Sequence, residues 1–231
     1  MNCCFTRTLR LLGKRQRLGP HRGTISRIHQ ATLKMPESRS KHPLVWIDCE
    51  MTGLDYQTDT IMSVACFVTD YELNLLDELG YQADVQHTQE QMSAMGEWCR
   101  EHHGASGLTA ACLNPAKSKP VDQVAVELLE YIQKYAPDRR RALLAGNTVH
   151  ADRAFLIRPP FKPVVDHLHH RILDVSAIKE AARRWAPEQV LRESPRKEGK
   201  HEARADILES IEEAKYYRDV FFHKTRVLSE A

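Results

Sequence analysis

The chain has 231 residues, which is enough for one domain of ordinary size with its own core. Apolar residues make up 42% of it and charged residues 28%, a balance that is typical of globular proteins. No apolar run approaches the roughly 20 residues that a membrane-spanning helix needs, so we expect no association with a membrane.

Charge is distributed unevenly along the chain. Residues 1–36 hold eight Lys or Arg and no acid, which leaves 25 basic against 31 acidic residues in 37–231, a net charge of −6. An Arg-rich, acid-free start with interspersed leucines is typical of a mitochondrial transit peptide, although a disordered basic arm has the same composition. We predict a transit peptide and linker over 1–42 and a location in the mitochondrial matrix. Met35 permits an internal start, which would give a cytosolic or nuclear product.

The six cysteines show no CxxC pairing and no secretory signal accompanies them. This pattern predicts reduced thiols in an intracellular compartment and argues against a zinc site. Cys49 and Cys66 lie in apolar runs, where we expect them to be small buried side chains.

The folded domain is predicted over 43–224, with a polar tail at 225–231. The first strand begins at Leu44 and ends at Asp48 and Glu50, and apolar runs predict further strands at 60–68, 75–85, 142–146 and 172–175. The first three strands are joined by short connections, which predicts an antiparallel meander. Helical spacing predicts helices at 89–103, 108–113, 121–135, within 147–156, from an N-cap at Ser176 to Trp185, and at 202–222, with a charged loop at 188–200. This order predicts an α/β fold in which a mixed sheet is flanked by helices.

Acidic side chains fall at the ends of three predicted elements. Asp48 and Glu50 are two residues apart on a strand and therefore point to the same side, which is unfavourable for like charges unless a cation lies between them. Asp152 follows the strand at 142–146, and His201 and Asp206 stand at the start of the last helix. Taken singly, each has an ordinary alternative, namely a solvated strand end, compensation of a helix dipole or a surface side chain.

The five positions together resemble the acidic quartet and histidine of the DEDD exonuclease superfamily, histidine branch. The local sequences resemble the oligoribonuclease family within it, over about residues 44–222. The matching segments are WIDCEMTGLD at 46–55, MSAMGEWCREHHGASGL at 92–108, LLAGNTVHADRAFL at 143–156 and HHRILDVSAIKEAARRWAP at 169–187, together with the last helix from His201. The resemblance implies a ribonuclease H-like fold.

The resemblance also implies a reaction, the 3′→5′ hydrolysis of oligonucleotides of about two to five nucleotides to 5′-mononucleotides. Asp48, Glu50, Asp152 and Asp206 would hold two Mg²⁺ or Mn²⁺ ions, with Asp48 bridging them, because such cations prefer oxygen ligands. His201 would accept the proton of the attacking water.

Substrate contacts follow from the same resemblance. Leu54 and Trp98 would hold the terminal bases by wedging and stacking, although Trp98 also fits a core position of its helix. His103 matches a nearby family histidine. Residues that match the cap of the 5′ phosphate are Ser106, Thr148, Arg171, Ser176 and Lys179. The family implies a homodimer and short single-stranded RNA, with DNA left open, as partners.

Five positions depart from the family pattern. Ser63 stands where the family usually has an acid. His170 replaces a tyrosine that is expected to reach the partner's active site. Glu202, Arg204 and Ala205 alter the motif around His201. Two alternative functions therefore stay open. One is an exonuclease on longer RNA or DNA, which the net charge of −6 disfavours, and the other is a weakly catalytic binder of short oligonucleotides.

Overall fold

A computed structural model of the chain describes residues 42–196 and 202–222. The predicted targeting segment up to residue 41, the predicted base His201 and the polar tail lie outside the described residues.

A six-stranded mixed sheet forms the centre of the domain. Its strands are β1 (Leu44–Met51), β2 (Ile61–Thr69), β3 (Tyr81–Val85), β4 (Ser118–Lys119), β5 (Leu143–Gly146) and β6 (Ile172–Asp174). They lie in the order β4-β3-β2-β1-β5-β6. The first three strands pair antiparallel, which confirms the predicted meander, whereas β5 pairs parallel with β1 and with β6.

Helices cover both faces of this sheet. They are α1 (Gln89–Ala94), α2 (Glu97–Ala105), α3 (Leu108–Cys112), α4 (Val121–Tyr135), α5 (His150–Leu156), α6 (Lys162–His167), α7 (Val175–Trp185), α8 (Glu188–Arg192) and α9 (Ala203–Phe221). The mixed sheet with flanking helices confirms the predicted fold class. No helix in the part of the chain that the structure describes has the length and apolar character needed to cross a bilayer.

Alternation along β1 separates two cores. Val45, Ile47 and Cys49 face the core that α4 and α5 cover. Trp46 faces the opposite core, which α7 and α9 cover. Because side chains alternate along a strand, Asp48 and Glu50 continue the Trp46 face and point toward α9. Cys49 and Cys66 are buried, as predicted.

Several strand predictions were wrong in their limits. The third strand was predicted from residue 75 but begins at Tyr81, because an Asp77-centred turn, in which the Asp77 carboxylate accepts the Gly80 N–H at 3.0 Å, precedes it. The two-residue β4 was missed, since Ser118 and Lys119 carry no apolar pattern. β1 continues one residue beyond Glu50, to Met51.

The helix predictions also required correction. The predicted helix at 89–103 is two helices, because the backbone of Met95 and Gly96 is extended. The N-cap of α7 is Asp174 and not Ser176, since the Asp174 carboxylate accepts the Ser176 N–H at 3.0 Å. The predicted loop at 188–200 contains α8, and α6 was missed.

Candidate active site

Three carboxylates converge beside the end of β1. Asp48, Glu50 and Asp206 each offer an oxygen atom, and these atoms lie within 4.8 Å of one another. All three side chains are partly buried. The structure thus brings together three of the four predicted metal ligands.

The path of the chain explains this convergence. Asp48 and Glu50 lie on the face of β1 that packs against α9, and Asp206 lies in the first turn of α9. The apolar residues Ile207, Ile211 and Tyr217 anchor α9 on the sheet, which sets its first turn over the two strand carboxylates.

Asp152, the fourth predicted ligand, does not belong to this 4.8 Å group but reaches the same strand end by another route. β5 runs parallel to β1, so both end at one edge of the sheet, and α5 begins there. The Asp152 carboxylate accepts the backbone N–H of Cys49, the residue between Asp48 and Glu50, at 3.0 Å. The side chain is 6% exposed.

The electrostatics of the cluster favour a cation. Burial, and then the charges of Asp48 and Asp206, raise the pKa of Glu50 to about 8. Burial likewise raises the pKa of Asp152 to about 7, although the hydrogen bond from Cys49 opposes the shift. When neighbouring carboxylates are partly buried, their mutual repulsion is relieved by binding a proton or a hard divalent cation. The residues present therefore fit a site for a hard divalent cation.

Three of the five departures from the family pattern line a cavity that Glu50 also lines, namely Ser63, Glu202 and Arg204. Ser63 is buried on β2 directly opposite Glu50, and both line this cavity of about 270 Å³ together with Asp84, Ser106 and Arg204. The guanidinium of Arg204 lies 4.8 Å from the centre of the Phe67 ring and donates to the Glu78 carbonyl at 3.0 Å. Arg204 thus packs α9 against the end of the Asp77 turn.

The loop between β1 and β2 presents Leu54 to solvent, where the side chain is 89% exposed. Asp59 organises this loop, because its carboxylate accepts the Thr52 hydroxyl at 2.9 Å and the Asp55 N–H at 3.0 Å. Gly53 fits beneath the same carboxylate, since a Cβ there would lie 2.4 Å from the Asp59 Oδ2.

Trp98 is 63% exposed, which excludes the alternative of a core aromatic. Its ring stacks on that of His102 with 4.8 Å between the ring centres. His103, in contrast, is 2% exposed and donates from Nε2 to the Met51 carbonyl at 3.0 Å. His103 therefore fastens α2, which carries Trp98, to the end of β1.

Thr148, Ser176 and Lys179 come together at the start of α7. The Thr148 and Ser176 hydroxyls are hydrogen-bonded at 3.0 Å, and Ser176 donates to the Asn147 side-chain oxygen at 2.9 Å. The Lys179 ammonium lies 2.9 Å from a carboxylate oxygen of Glu213. Ser106 lies apart from these contacts, at the cavity beside Glu50, and Arg171 is exposed just before β6.

Three polar residues in this region were missed by the sequence analysis. Asp174 accepts the N–H groups of both Thr148 and Ser176 at 3.0 Å, and Asn147 and Glu213 join α7 to α9. The N-cap role of Asp174 could have been predicted from the sequence, because Asp is a favoured N-cap residue and stands two positions before Ser176. Glu213 carried a weaker signal, an acid on the apolar face of α9 among Ile211, Ala214 and Tyr217.

Comparison with known proteins gives the class first. The model of the RNase_T exonuclease family matches residues 45–214. The solved exonuclease I of Methylocaldum szegediense superposes with a TM-score of 0.54 at 16% identity, covering 77% of this chain and 40% of that one. E. coli exonuclease I in complex with a dT13 oligonucleotide gives a TM-score of 0.57 at 14% identity, covering 77% and 41%. The chain spans about two fifths of these two structures, and the likeness shows a ribonuclease H-like fold.

Curated relatives are much closer in sequence. The mitochondrial oligoribonuclease of Saccharomyces cerevisiae is 48% identical over 198 residues, covering 82% of this chain and 72% of the relative. The mitochondrial oligoribonuclease of Homo sapiens is 42% identical over 183 residues, covering 78% and 74%. The oligoribonuclease of Leifsonia xyli is 44% identical over 184 residues, covering 79% and 86%.

Fold and family match together define a nuclease of the exonuclease class. Within that class, the chain belongs to the oligoribonuclease family. The resemblance inferred from the sequence is confirmed.

Proposed function

We propose that this chain is a 3′→5′ exoribonuclease that hydrolyses oligonucleotides of about two to five nucleotides to 5′-mononucleotides. The observation that carries the proposal is the convergence of Asp48, Glu50 and Asp206 within 4.8 Å, in a member of the oligoribonuclease family.

The proposed ligands of two divalent cations are Asp48, Glu50, Asp152 and Asp206. The raised pKa of Glu50 supports this assignment, because it reflects burial and then the charges of Asp48 and Asp206, and a bound cation offsets both. The ions would supply an activated water and neutralise charge on the attacking and leaving oxygens.

The remaining steps fall to the protein's own side chains. Asp152 is held by the Cys49 N–H, which orients its carboxylate toward the strand that carries Asp48 and Glu50. We assign the role of general base to His201, which precedes α9 by two residues in sequence, because an imidazole with the unperturbed histidine pKa of roughly 6.5 can accept a proton near neutral pH.

Recognition of a short oligonucleotide needs contacts at both ends of the nucleotide chain. We assign Leu54 and Trp98 to the terminal bases, since both are exposed apolar side chains and stacking tolerates any base. For the 5′ phosphate we assign Thr148, Arg171, Ser176 and Lys179, three of which share the contacts at the start of α7. Ser106 belongs to the same 5′-phosphate assignment by the family resemblance and lines the cavity beside Glu50, and His103 is assigned to the support of Trp98.

We propose a mitochondrial location, because relatives from yeast and human are named mitochondrial oligoribonucleases and residues 1–36 are basic and acid-free. Residues 1–42 would then be a transit peptide and linker directing the domain at 43–224 to the matrix, and initiation at Met35 would give an untargeted product. The targeting role is tested by fusing either residues 1–42 or residues 35–42 to a fluorescent protein. Only the fusion that carries residues 1–42 should localise to mitochondria.

We also propose a homodimer, which the family resemblance implies. His170 stands where the family usually has a tyrosine that reaches the partner's active site, and its ring stacks on that of His169 at 4.2 Å. Light scattering of the purified chain tests the assembly, and a mass of one chain would contradict it.

Hydrolysis of a labelled dinucleotide by the wild type and by Asp48→Asn tests the catalytic proposal. The wild type should release mononucleotide only when Mg²⁺ or Mn²⁺ is present, and EDTA should stop it. Asp48→Asn should lose at least about 100-fold in rate, because one proposed ligand charge is gone. Full activity of Asp48→Asn would contradict the assignment.

A further inference from the structure

Glu213 is a buried acid that the proposed reaction does not use. It lies on the inner side of α9, and its side chain is 1% exposed. Burying a charge is costly unless it is paired and hydrogen-bonded. Glu213 meets both conditions, because Lys179 lies 2.9 Å from Oε1 and the Asn147 side-chain amide donates to Oε2 at 3.1 Å. The Tyr217 hydroxyl donates to Oε1 at 3.4 Å.

The contacts of Glu213 extend to the hydroxyl pair at the start of α7. The NH₂ group of Asn147 donates to Glu213 and to the Ser210 hydroxyl at 2.8 Å, which fixes the orientation of the amide. The oxygen of that amide therefore faces Ser176 and accepts its hydroxyl at 2.9 Å. Ser176 is in turn bonded to Thr148 at 3.0 Å. One carboxylate thus orients Lys179 directly and the two hydroxyls through Asn147.

Lys179 keeps binding capacity in this arrangement. An ammonium group has three donors, and the contact with Glu213 occupies one of them. The Lys179 side chain is 34% exposed, so part of it is within reach of a ligand at the surface. A partly exposed ammonium that a carboxylate orients is suited to a phosphate group.

Helix α9 also connects Glu213 to the carboxylate cluster of Asp48, Glu50 and Asp206. Asp206 and Glu213 are seven residues apart on one helix, so they lie on nearly the same face and about 10 Å apart along the axis. The helix is anchored by buried apolar residues along its length, which keeps that separation fixed.

We propose that Glu213 is a positioning residue for recognition of the substrate's 5′ end. It holds Lys179 and, through Asn147, Ser176 and Thr148 in the orientation that binds a 5′-terminal phosphate, at a spacing from the reaction centre that α9 sets. The inference rests on the proposed function and deepens it, since it names the element that selects 5′-phosphorylated fragments of minimal length.

The test compares Glu213→Gln with Glu212→Gln. The two residues are adjacent on α9 and undergo the same chemical change, but Glu212 is 61% exposed and pairs only with Lys215 at the surface, among the contacts that the structure describes. Each variant is assayed with a dinucleotide that carries a 5′ phosphate and with the same dinucleotide ending in a 5′ hydroxyl.

For Glu213→Gln we expect KM for the 5′-phosphorylated dinucleotide to rise by about tenfold, as for the loss of one oriented charged contact, while kcat changes by less than about threefold. The preference for the 5′-phosphorylated over the 5′-hydroxyl substrate should fall by a similar factor. Glu212→Gln should match the wild type on both substrates.

A second pair of variants tests whether Glu213 acts through Lys179. The glutamine of Glu213→Gln would keep a side-chain oxygen that can accept the Asn147 amide, so the substitution removes mainly the charge that orients Lys179. If Glu213 acts through that charge, Lys179→Met and the double variant Lys179→Met/Glu213→Gln should show the same KM, because contacts made through one group are not additive. The double variant also leaves no unpaired buried charge, so it remains measurable if Glu213→Gln does not fold.

The outcomes separate the inference from the function on which it rests. If the wild type does not hydrolyse the 5′-phosphorylated dinucleotide, the proposed function fails. If the wild type is active but Glu213→Gln keeps its KM and its preference for a 5′ phosphate, the role of Glu213 is overturned. An increase in KM of the double variant well beyond that of Lys179→Met would overturn the route through Lys179.

Discussion

The Asp152 carboxylate accepts the backbone N–H of Cys49 at 3.0 Å, which ties α5 to the strand residue between Asp48 and Glu50. A buried acid and two strand acids are thereby held in one arrangement although 103 residues separate Cys49 from Asp152. The hydrogen bond and the negative charge of Asp152 serve different purposes, and substitutions can separate them.

Asp152→Asn should keep the fold and lose activity. An asparagine oxygen can still accept the Cys49 N–H, and removing a buried charge with a raised pKa should leave the free energy of unfolding unchanged or increased by about 1 kcal/mol. Turnover of a dinucleotide should fall by at least about 100-fold, since the proposed ligand charge is lost. Asp152→Ala removes the acceptor as well and should lower stability by about 1–3 kcal/mol. Urea denaturation and dinucleotide assays of both variants measure these effects, and an active Asp152→Asn would contradict the assignment.

Stability in the absence of metal should depend on pH. The pKa values of Glu50 and Asp152 are raised to about 8 and about 7 in the folded protein, so the folded state binds protons more tightly than the unfolded chain. The free energy of unfolding in EDTA should therefore be highest below the unfolded pKa values, fall as pH rises above them and level off above about pH 8, with a change of up to roughly 4 kcal/mol between pH 6 and pH 9. Saturating Mg²⁺ should flatten this slope, because the cation replaces the protons. Equal slopes with and without Mg²⁺ would refute the expectation.

Leu54→Ala should weaken substrate binding without affecting the fold. The side chain is 89% exposed, so its loss removes little buried apolar area in the free protein, while burying a leucine side chain against a base is worth about 1.5–3 kcal/mol. We expect kcat/KM for a dinucleotide to fall by about tenfold or more and Tm to stay constant. Leu79→Ala is the matched control, since that leucine is 77% exposed on another turn and should leave kcat/KM unchanged.

Gly53→Ala should disturb the loop between β1 and β2, which carries Leu54, by displacing the Asp59 carboxylate. The added Cβ would lie 2.4 Å from the Asp59 Oδ2, and Asp59 cannot move without giving up its bonds to Thr52 and Asp55. We expect the loop to shift, with kcat/KM lowered by about tenfold and stability by about 1–2 kcal/mol. Gly104→Ala is the control, because a Cβ in that helical position meets nothing within 4 Å and should stabilise α2 slightly. Wild-type kinetics for Gly53→Ala would show that the loop tolerates the displacement.

The sequence predicted those elements in which local pattern and tertiary environment agree. α4 has the limits predicted from its apolar spacing, and the alternation of β1 correctly placed Asp48 and Glu50 on one face. The acid in the first turn of α9 was found because its position in the motif around His201 resembles the family pattern. For Trp98, periodicity left a core position open, and its exposure came only from the structure.

Other features depend on partners that are distant in sequence. β4 exists because its two residues pair with β3, and its own sequence carries no strand pattern. The contacts of Glu213 with Lys179 and Asn147 join α9 to α7 and to the turn after β5, so no local pattern marks them. The end of α1 is set by the extended backbone at Met95 and Gly96, which interrupts a helical spacing that continues on both sides.

The proposed function is tested most directly by the turnover of a labelled dinucleotide against a 20-mer, with Mg²⁺, Mn²⁺ and EDTA in parallel. We expect rapid, metal-dependent cleavage of the dinucleotide and slow cleavage of the 20-mer, because the 5′-end contacts and the net charge of −6 over 37–231 favour a short oligonucleotide. Faster cleavage of the 20-mer would instead indicate an exonuclease on longer strands. Tight binding of the dinucleotide with no turnover under either metal would indicate a binder of short oligonucleotides and would contradict the central claim.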